Sequence, residues 1–194
     1  MRKRDFNVCT GLLFTILILS GCKEDDVEPS QLGQLAINGS VEEGTTRPEG
    51  WTFDNGQGKY DVTWTDQESF SPSKSLKIST QVKDALSFSF WVTTVSDSLP
   101  TGKSVTLKVK IKSNLTGQGS AIALRGDDAF GLSGSAEQFV TTSGSINITG
   151  TFDWKEYKIK LDKVDPTTFN LSVFLLYLPN TTGEVYFDDI ELVY

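Results

Sequence analysis

From Leu35 onward, apolar and polar positions alternate in short runs. Val105-Thr106-Leu107-Lys108-Val109-Lys110-Ile111-Lys112 has a strict period of two, with one apolar face and one face of Thr and Lys. Ser75–Ser79 and Leu86–Val92 alternate in the same way. The runs 121–124, 144–148, 157–161, 169–178 and 184–193 follow, rich in Val, Ile, Thr and aromatics, which suit a pleated, half-buried surface. Turn-forming clusters separate them: Ser71-Pro72-Ser73, Leu99-Pro100-Thr101-Gly102, Gly117-Gln118-Gly119 and Pro179-Asn180-Thr181-Thr182-Gly183. No stretch beyond Leu35 holds a long helical period. Many short strands with regular turns predict an all-β chain, a sandwich or a barrel. Phe169 to Leu178 is apolar at both parities, as expected of a strand covered on both sides.

Phase within the strands sorts candidate binding residues. Leu86, Phe88, Phe90 and Val92 share one face and are expected in the core. Trp91 falls with Ser87 and Ser89 and is expected at a surface or groove. Arg125 is out of phase with Ile122 and Leu124, so it is expected opposite the core, with Asp127 at the edge of that surface. An indole offers an apolar platform to the C–H face of a pyranose. Arg and Asp suit bidentate bonds to vicinal hydroxyls. Trp91, Arg125 and Asp127 are therefore the candidate glycan-binding group, against the alternative of a surface turn with a local ion pair. Trp51 and Trp154 are read as core or turn packing, and Trp64 fits either role. The string Arg125-Gly126-Asp127 also matches an integrin tripeptide, a match too short to inform.

The amino end has a different pattern. Arg2, Lys3 and Arg4 precede an apolar run, Gly11 to Leu19, that is too short to span a bilayer. Leu19-Ser20-Gly21-Cys22 follows, and resembles the bacterial lipobox. That resemblance implies a diacylglycerol on the Cys22 thiol, cleavage before Cys22 and acylation of the new amine. Several acyl chains on one residue meet the requirement for stable anchoring. The expected organisation is a signal peptide at 1–21, a flexible acidic tether at 22–34 and a β-domain at 35–194. The tether, with Glu24, Asp25, Asp26 and Glu28, is too polar to fold. Its start, Cys22-Lys23-Glu24-Asp25-Asp26, resembles the export signal of Bacteroidetes surface lipoproteins, which implies an outer-membrane anchor facing the cell exterior. The alternative is an ordinary solvated tether. Asp97-Ser98-Leu99 resembles an O-glycosylation pattern of the same bacteria.

Composition narrows the chemistry. The 194 residues carry a formal charge of −7; residues 1–21 hold three basic residues and one acid, so the remaining 173 carry −9. That length suits one domain with a sizeable core. The charge argues against nucleic acid and against broad binding to anionic lipid. Cys9 leaves with the signal and Cys22 carries lipid, so no cysteine is left for a disulfide. There is no histidine. These absences exclude His/Cys zinc sites, Ser-His-Asp and Cys-His catalysis and haem ligation by His. An enzyme would have to work with carboxylates, Lys, Tyr or Ser, and the expectation is a non-enzyme.

Five ordered segments carry a family resemblance. They are Ile37-Asn38-Gly39-Ser40-Val41-Glu42-Glu43-Gly44 with Pro48-Glu49-Gly50-Trp51; Ser71-Pro72-Ser73-Lys74-Ser75-Leu76-Lys77-Ile78; Leu99-Pro100-Thr101-Gly102-Lys103 through Val109-Lys110; Gly150-Thr151-Phe152-Asp153-Trp154-Lys155-Glu156-Tyr157; and Gly183-Glu184-Val185-Tyr186-Phe187-Asp188-Asp189-Ile190-Glu191-Leu192. In this order they are similar to galactose-binding-like jelly rolls, including carbohydrate-binding modules of the family 4/9 and family 22 type. Val41 stands where an aromatic is common, and Pro72-Ser73 where a Gly is usual. The resemblance implies a jelly-roll β-sandwich and a non-catalytic domain that binds a glycan or polysaccharide. The rival reading is an envelope interaction or assembly protein with a protein partner. The resemblance further implies a structural Ca²⁺ held by Glu42, one of Asp188 and Asp189, and the carbonyls of Ser40 and Lys74, all hard oxygen ligands. The alternative is a metal-free strand end. Adjacent acids on a strand point to opposite faces, so Asp188 and Asp189 are not a general acid/base pair.

Overall fold

A computed structural model of the chain describes residues 33–35, 37–128 and 138–194. The expected signal peptide, Cys22 and the acidic tether as far as Leu32 lie outside the described residues. Among the described residues there is no helix. Nine strands follow in order: β1 (Thr52–Asp54), β2 (Asp61–Thr65), β3 (Ser75–Thr80), β4 (Ser89–Val95), β5 (Val105–Asp128), β6 (Gln138–Thr141), β7 (Ile148–Leu161), β8 (Thr168–Tyr177) and β9 (Thr182–Val193). Every pairing between them is antiparallel.

The 24-residue β5 organises the rest. The alternating runs 105–112 and 121–124 are two ends of this one strand, and Gly117-Gln118-Gly119 between them is a bend rather than a break. The amino half of β5 pairs with β7 and β9, and the carboxyl half with β8 and β6. Two layers result: a front sheet in the order β1-β4-β8-β5-β6 and a back sheet in the order β2-β3-β9-β5-β7. The bend requires glycine twice. Gly117 and Gly119 have φ of +113° and +88°. A Cβ on them would lie 2.1 Å from the Asn180 carbonyl and 2.2 Å from the Ile148 carbonyl. The run at 144–148 forms a turn instead of a strand: Ser145 and Ile146 both donate to the Thr142 carbonyl, and β7 opens only at Ile148.

The core fills the space between the layers. Val105, Leu107, Val109 and Ile111 of β5 line the inner side of the back sheet with Leu76 and Ile78 of β3 and Val185 and Phe187 of β9, and meet Leu171, Val173 and Leu175 of β8 in one fully buried cluster. Burying each such side chain stabilises the fold by about 1.5–3 kcal/mol before chain entropy is counted. On β8 the opposite parity, Phe174 and Leu176, is half-buried, so this strand is covered fully on one side and partly on the other.

The β4 parity is the reverse of the sequence expectation. Ser89, Trp91 and Thr93 point inward, and Phe90 and Val92 point out. Trp91 is 2% exposed. Its indole crosses the sandwich and donates from Nε1 to the Lys77 carbonyl of β3 at 3.3 Å. Phe53 covers its edge at 5.0 Å. The small inward neighbours leave a slot that one large side chain fills, and Ser89 Oγ is satisfied by the Asp54 carbonyl at 2.6 Å. An inward polar residue is tolerated when bonded. Trp91→Ala is therefore expected to cost about 3–5 kcal/mol of stability, checked as a lowered midpoint of urea denaturation followed by intrinsic fluorescence.

Candidate functional site

The two outer faces of the sandwich differ in chemistry. The back sheet is covered by ion pairs: Lys77 with Glu184 at 2.9 Å, Lys108 with Glu191 at 2.9 Å, Lys110 with Glu156 at 3.2 Å, and Lys112 with Glu68 at 3.0 Å and Asp153 at 3.3 Å. Such exposed pairs are worth between zero and about 1 kcal/mol each. Their effect is to keep this face wet.

The front face is apolar and aromatic. Residues opposite each other on antiparallel strands share a face. The outward pairs here are Phe90 with Leu176, Val92 with Phe174 and Thr94 with Ser172, joined across β5 by Ala121, Ala123 and Arg125. Phe88 stacks on Phe90 with centroids 6.0 Å apart and planes 24° apart. Phe90 meets Phe174 edge-on at 5.6 Å. The Arg125 guanidinium lies 5.6 Å from the Phe174 centroid, and Arg125 Nε donates to Asp127 Oδ2 at 2.8 Å. A diagonal row thus runs from Phe88 through Phe90 and Phe174 to the Arg125–Asp127 pair. Beyond Phe88 a cavity of about 220 Å³ is lined by Asp54, Gln57, Lys59, Leu86 and Phe88 among others. Asp54 is the cross-strand partner of Phe90, which sets its carboxylate beside the row.

The structure brings Arg125 and Asp127 together on this face and takes Trp91 out of it. Trp91 is a core residue, and the expectation of an exposed indole platform is corrected. Phe88 and Phe90, expected in the core, lie on this face instead, and Phe174 extends their row. Their signal was present in the alternation: Ser89 and Thr93 flank Trp91 at the same parity, and inverting that parity brings out Phe88 and Phe90. The Arg125-Gly126-Asp127 string lies inside β5 with its two charges bonded to each other, unlike a tripeptide displayed on a loop. Trp51 is buried and donates to the Asn38 carbonyl at 2.8 Å. Trp64 donates to the Val41 carbonyl at 2.7 Å. Trp154 meets Phe70 on the back face at 6.0 Å.

Glu42 and Asp188 converge on one segment, residues 70–74, from two directions. Glu42 accepts from the Ser73 amide, the Ser73 hydroxyl and the Lys74 amide at 3.1, 2.8 and 2.7 Å. Burial acts to raise its pKa, but these donors and the Lys74 charge outweigh it and hold the carboxyl below its usual range. Asp188 is fully buried. Its Oδ2 accepts from the Phe70 and Ser71 amides at 2.7 and 2.9 Å, and its Oδ1 from the Asp189 amide at 2.6 Å. Burial pushes this carboxyl up to about 6 against the pull of the three amides. The carboxylates that the resemblance assigns to calcium are, in this structure, engaged by protein donors. The carboxylate oxygens are aimed at N–H and O–H donors, Lys74 offers its amide to Glu42, and among the described residues no group of three Asp, Glu, Cys or His side chains is spaced to hold a metal.

No protein-family model matches the chain, and no curated protein matches it. Solved structures do. The enzymatically active domain of bacteriophage CBA120 tailspike protein 4 aligns at 17% identity and a TM-score of 0.61, over 82% of this chain and 21% of the tailspike chain. A Stig cyclase from Fischerella sp. TAU aligns at 14% identity and 0.60, over 82% of this chain and 96% of the cyclase. The CBM22-1 xylan-binding domain of Paenibacillus barcinonensis Xyn10C aligns at 18% and 0.54, over 79% and 90%. Carbohydrate-binding modules of families 61 and 16 align at 0.54 and 0.53. The fold is a jelly-roll β-sandwich.

The carboxylate clamps on residues 70–74 make a stability prediction. Glu42→Ala frees three donors and is expected to cost about 1 kcal/mol or more, a loss of roughly 2–4 °C in Tm for a domain of this size. Adding a calcium chelator to the wild type is expected to leave the calorimetric Tm unchanged. A chelator-dependent fall in Tm would restore the metal.

Proposed function

We propose that this chain is a non-catalytic glycan-binding protein, tethered to the outer face of the outer membrane by lipid on Cys22. The observation that carries the binding reading is the contrast between the two faces. The back face is charged, crossed by ion pairs. The front face presents the Phe88–Phe90–Phe174 row, with hydrogen-bonding groups at both ends, which is the combination a sugar needs: an apolar surface for its C–H face and planar polar groups for its hydroxyls. The likeness to xylan-binding and other carbohydrate-binding modules supports the same reading.

Non-catalysis is supported by the spacing of the acids on this face. Asp54 on β1 and Asp127 on β5 are three strands apart, and Asp127 lies six residues further along β5 than Ala121, which lines up with Asp54 through Phe90 and Leu176. With strands about 4.8 Å apart and about 3.3 Å per residue, the two carboxylates stand well beyond the roughly 5–9.5 Å that glycoside hydrolysis uses. The anchor is supported by the lipobox-like Leu19-Ser20-Gly21-Cys22 and the short apolar run before it.

Two experiments test the two parts. Phe90→Ala should reduce affinity for a polysaccharide by about fivefold or more, since a well-placed aromatic contact is worth about 0.5–1.5 kcal/mol beyond its area burial, while leaving the melting temperature nearly unchanged. Affinity electrophoresis and a thermal melt on the same preparation decide it. A wild type that binds nothing on a broad glycan array would favour a protein partner, for which the exposed Leu86, Phe139 and Phe169 offer apolar contact. For the anchor, radiolabelled palmitate should enter the wild type and not Cys22→Ala, and protease shaving of intact cells should release the domain; equal labelling of both proteins would remove the lipoprotein reading.

A further inference from the structure

The two sheets divide the charged residues as sharply as the aromatic ones. The back-sheet strands carry seven lysines, from Lys77 on β3 to Lys160 on β7. The front-sheet strands, counting β5 from Ser120, carry a single cation, Arg125, against three acids, Asp54, Asp127 and Asp128. Arg125 is bonded by Asp127, which is 14% exposed and lies against it at 2.8 Å. The loops beside Phe88 add Lys59, held by Asp84, and Lys83. Asp54 uses Oδ1 to cap the Gly56 amide at 2.7 Å, and among the described residues no cation is bonded to it.

We infer that the front face selects saccharides that carry no anionic group, and that Asp127 sets this selectivity by neutralising the one guanidinium in the binding row. The inference rests on the glycan-binding reading above. A uronate or sulfate placed on the Phe90–Phe174 platform would meet an already paired Arg125 and the unpaired negative charge of Asp54. It would lose its hydration without gaining a counter-charge. A neutral hydroxyl loses little on the same surface and accepts or donates to the same groups. The selectivity is built by two residues at alternate positions of one strand, which places both side chains on one face and keeps their bond intact without help from a loop.

The test uses the full-length protein in detergent with four polymers: xylan and β-1,4-galactan as neutral probes, polygalacturonate and dextran sulfate as anionic ones. Affinity for at least one neutral polymer should change less than about twofold between about 20 mM and about 500 mM NaCl. Anionic polymers should bind at least about tenfold more weakly at the lower salt, where repulsion is least screened. Asp127→Asn frees the guanidinium while keeping the side-chain volume. It should gain about fivefold or more in affinity for polygalacturonate at low salt, and lose that gain at high salt. Wild-type preference for either anionic polymer overturns the inference. So does a folded Asp127→Asn protein, verified by its melting curve, that shows no salt-sensitive gain. Failure to bind any of the four, or any glycan on an array, removes the glycan reading itself and this inference with it, a result distinct from binding with the wrong charge preference.

Discussion

Burial of Trp91 decides which side of β4 looks at solvent. A strand has two faces and a period of two, so seating the indole between the sheets puts Phe90 and Val92 outside. The cost of the alternative is large. Turning β4 by one residue would set Phe88, Phe90 and Val92 in the places of Ser89, Trp91 and Thr93, so that a phenyl ring would underfill the indole's space while larger side chains crowded the two small sites. The bond from Trp91 Nε1 to the Lys77 carbonyl ties the front sheet to the back sheet at that point. It also satisfies a buried donor that would otherwise penalise the arrangement. The aromatic row on the outer face is therefore a consequence of core packing on the inner one.

β5 supplies the second constraint. Because one chain segment serves both sheets, its amino half displays lysines on the back face and its carboxyl half carries Arg125 and Asp127 on the front, with Ala121 and Ala123 at the same parity buried beneath their neighbours. The glycine bend at 117–119 lets the strand change partners without ending. The small alanines flank Phe174 where longer side chains would crowd the platform. The ion pairs of the back face add little stability, and they set its charged character apart from the aromatic row of the front.

The end of the sandwich near residues 70–74 shows how an acidic chain satisfies its own carboxylates. Glu42 and Asp188 come from opposite ends of the sequence and grip the same short segment through backbone and hydroxyl donors. Amide dipoles provide there the positive potential that a cation would provide. For Asp188 burial still outweighs three such donors, and the carboxyl is held near 6. The clamps join the segment around Glu42, the turn that leads into β3, and β9, and so brace that edge of the back sheet.

Much of this architecture was legible along the chain. Period-two alternation separated by Gly, Pro, Asn and Ser established an all-β chain, and the ordered motifs from Ile37 to Leu192 pointed to a jelly roll. Composition alone removed histidine- and cysteine-based chemistry. The sequence could not settle parity where both faces of a strand are plausible. In 86–92 one face offers Leu, Phe, Phe and Val and the other Ser, Ser and Trp. Summed hydrophobicity favours burying the first, while the shape of the space between the sheets accepts the second. That choice depends on what faces β4 across the core, a contact with Lys77 and β3 that no local pattern encodes. The continuity of β5 through Gly117-Gln118-Gly119 was hidden for a related reason. The same residues end a strand or bend it, according to whether the Asn180 and Ile148 carbonyls approach closely enough to forbid a side chain. Local periodicity determined which residues can share a face; only the packing of the two sheets decided which face is the core.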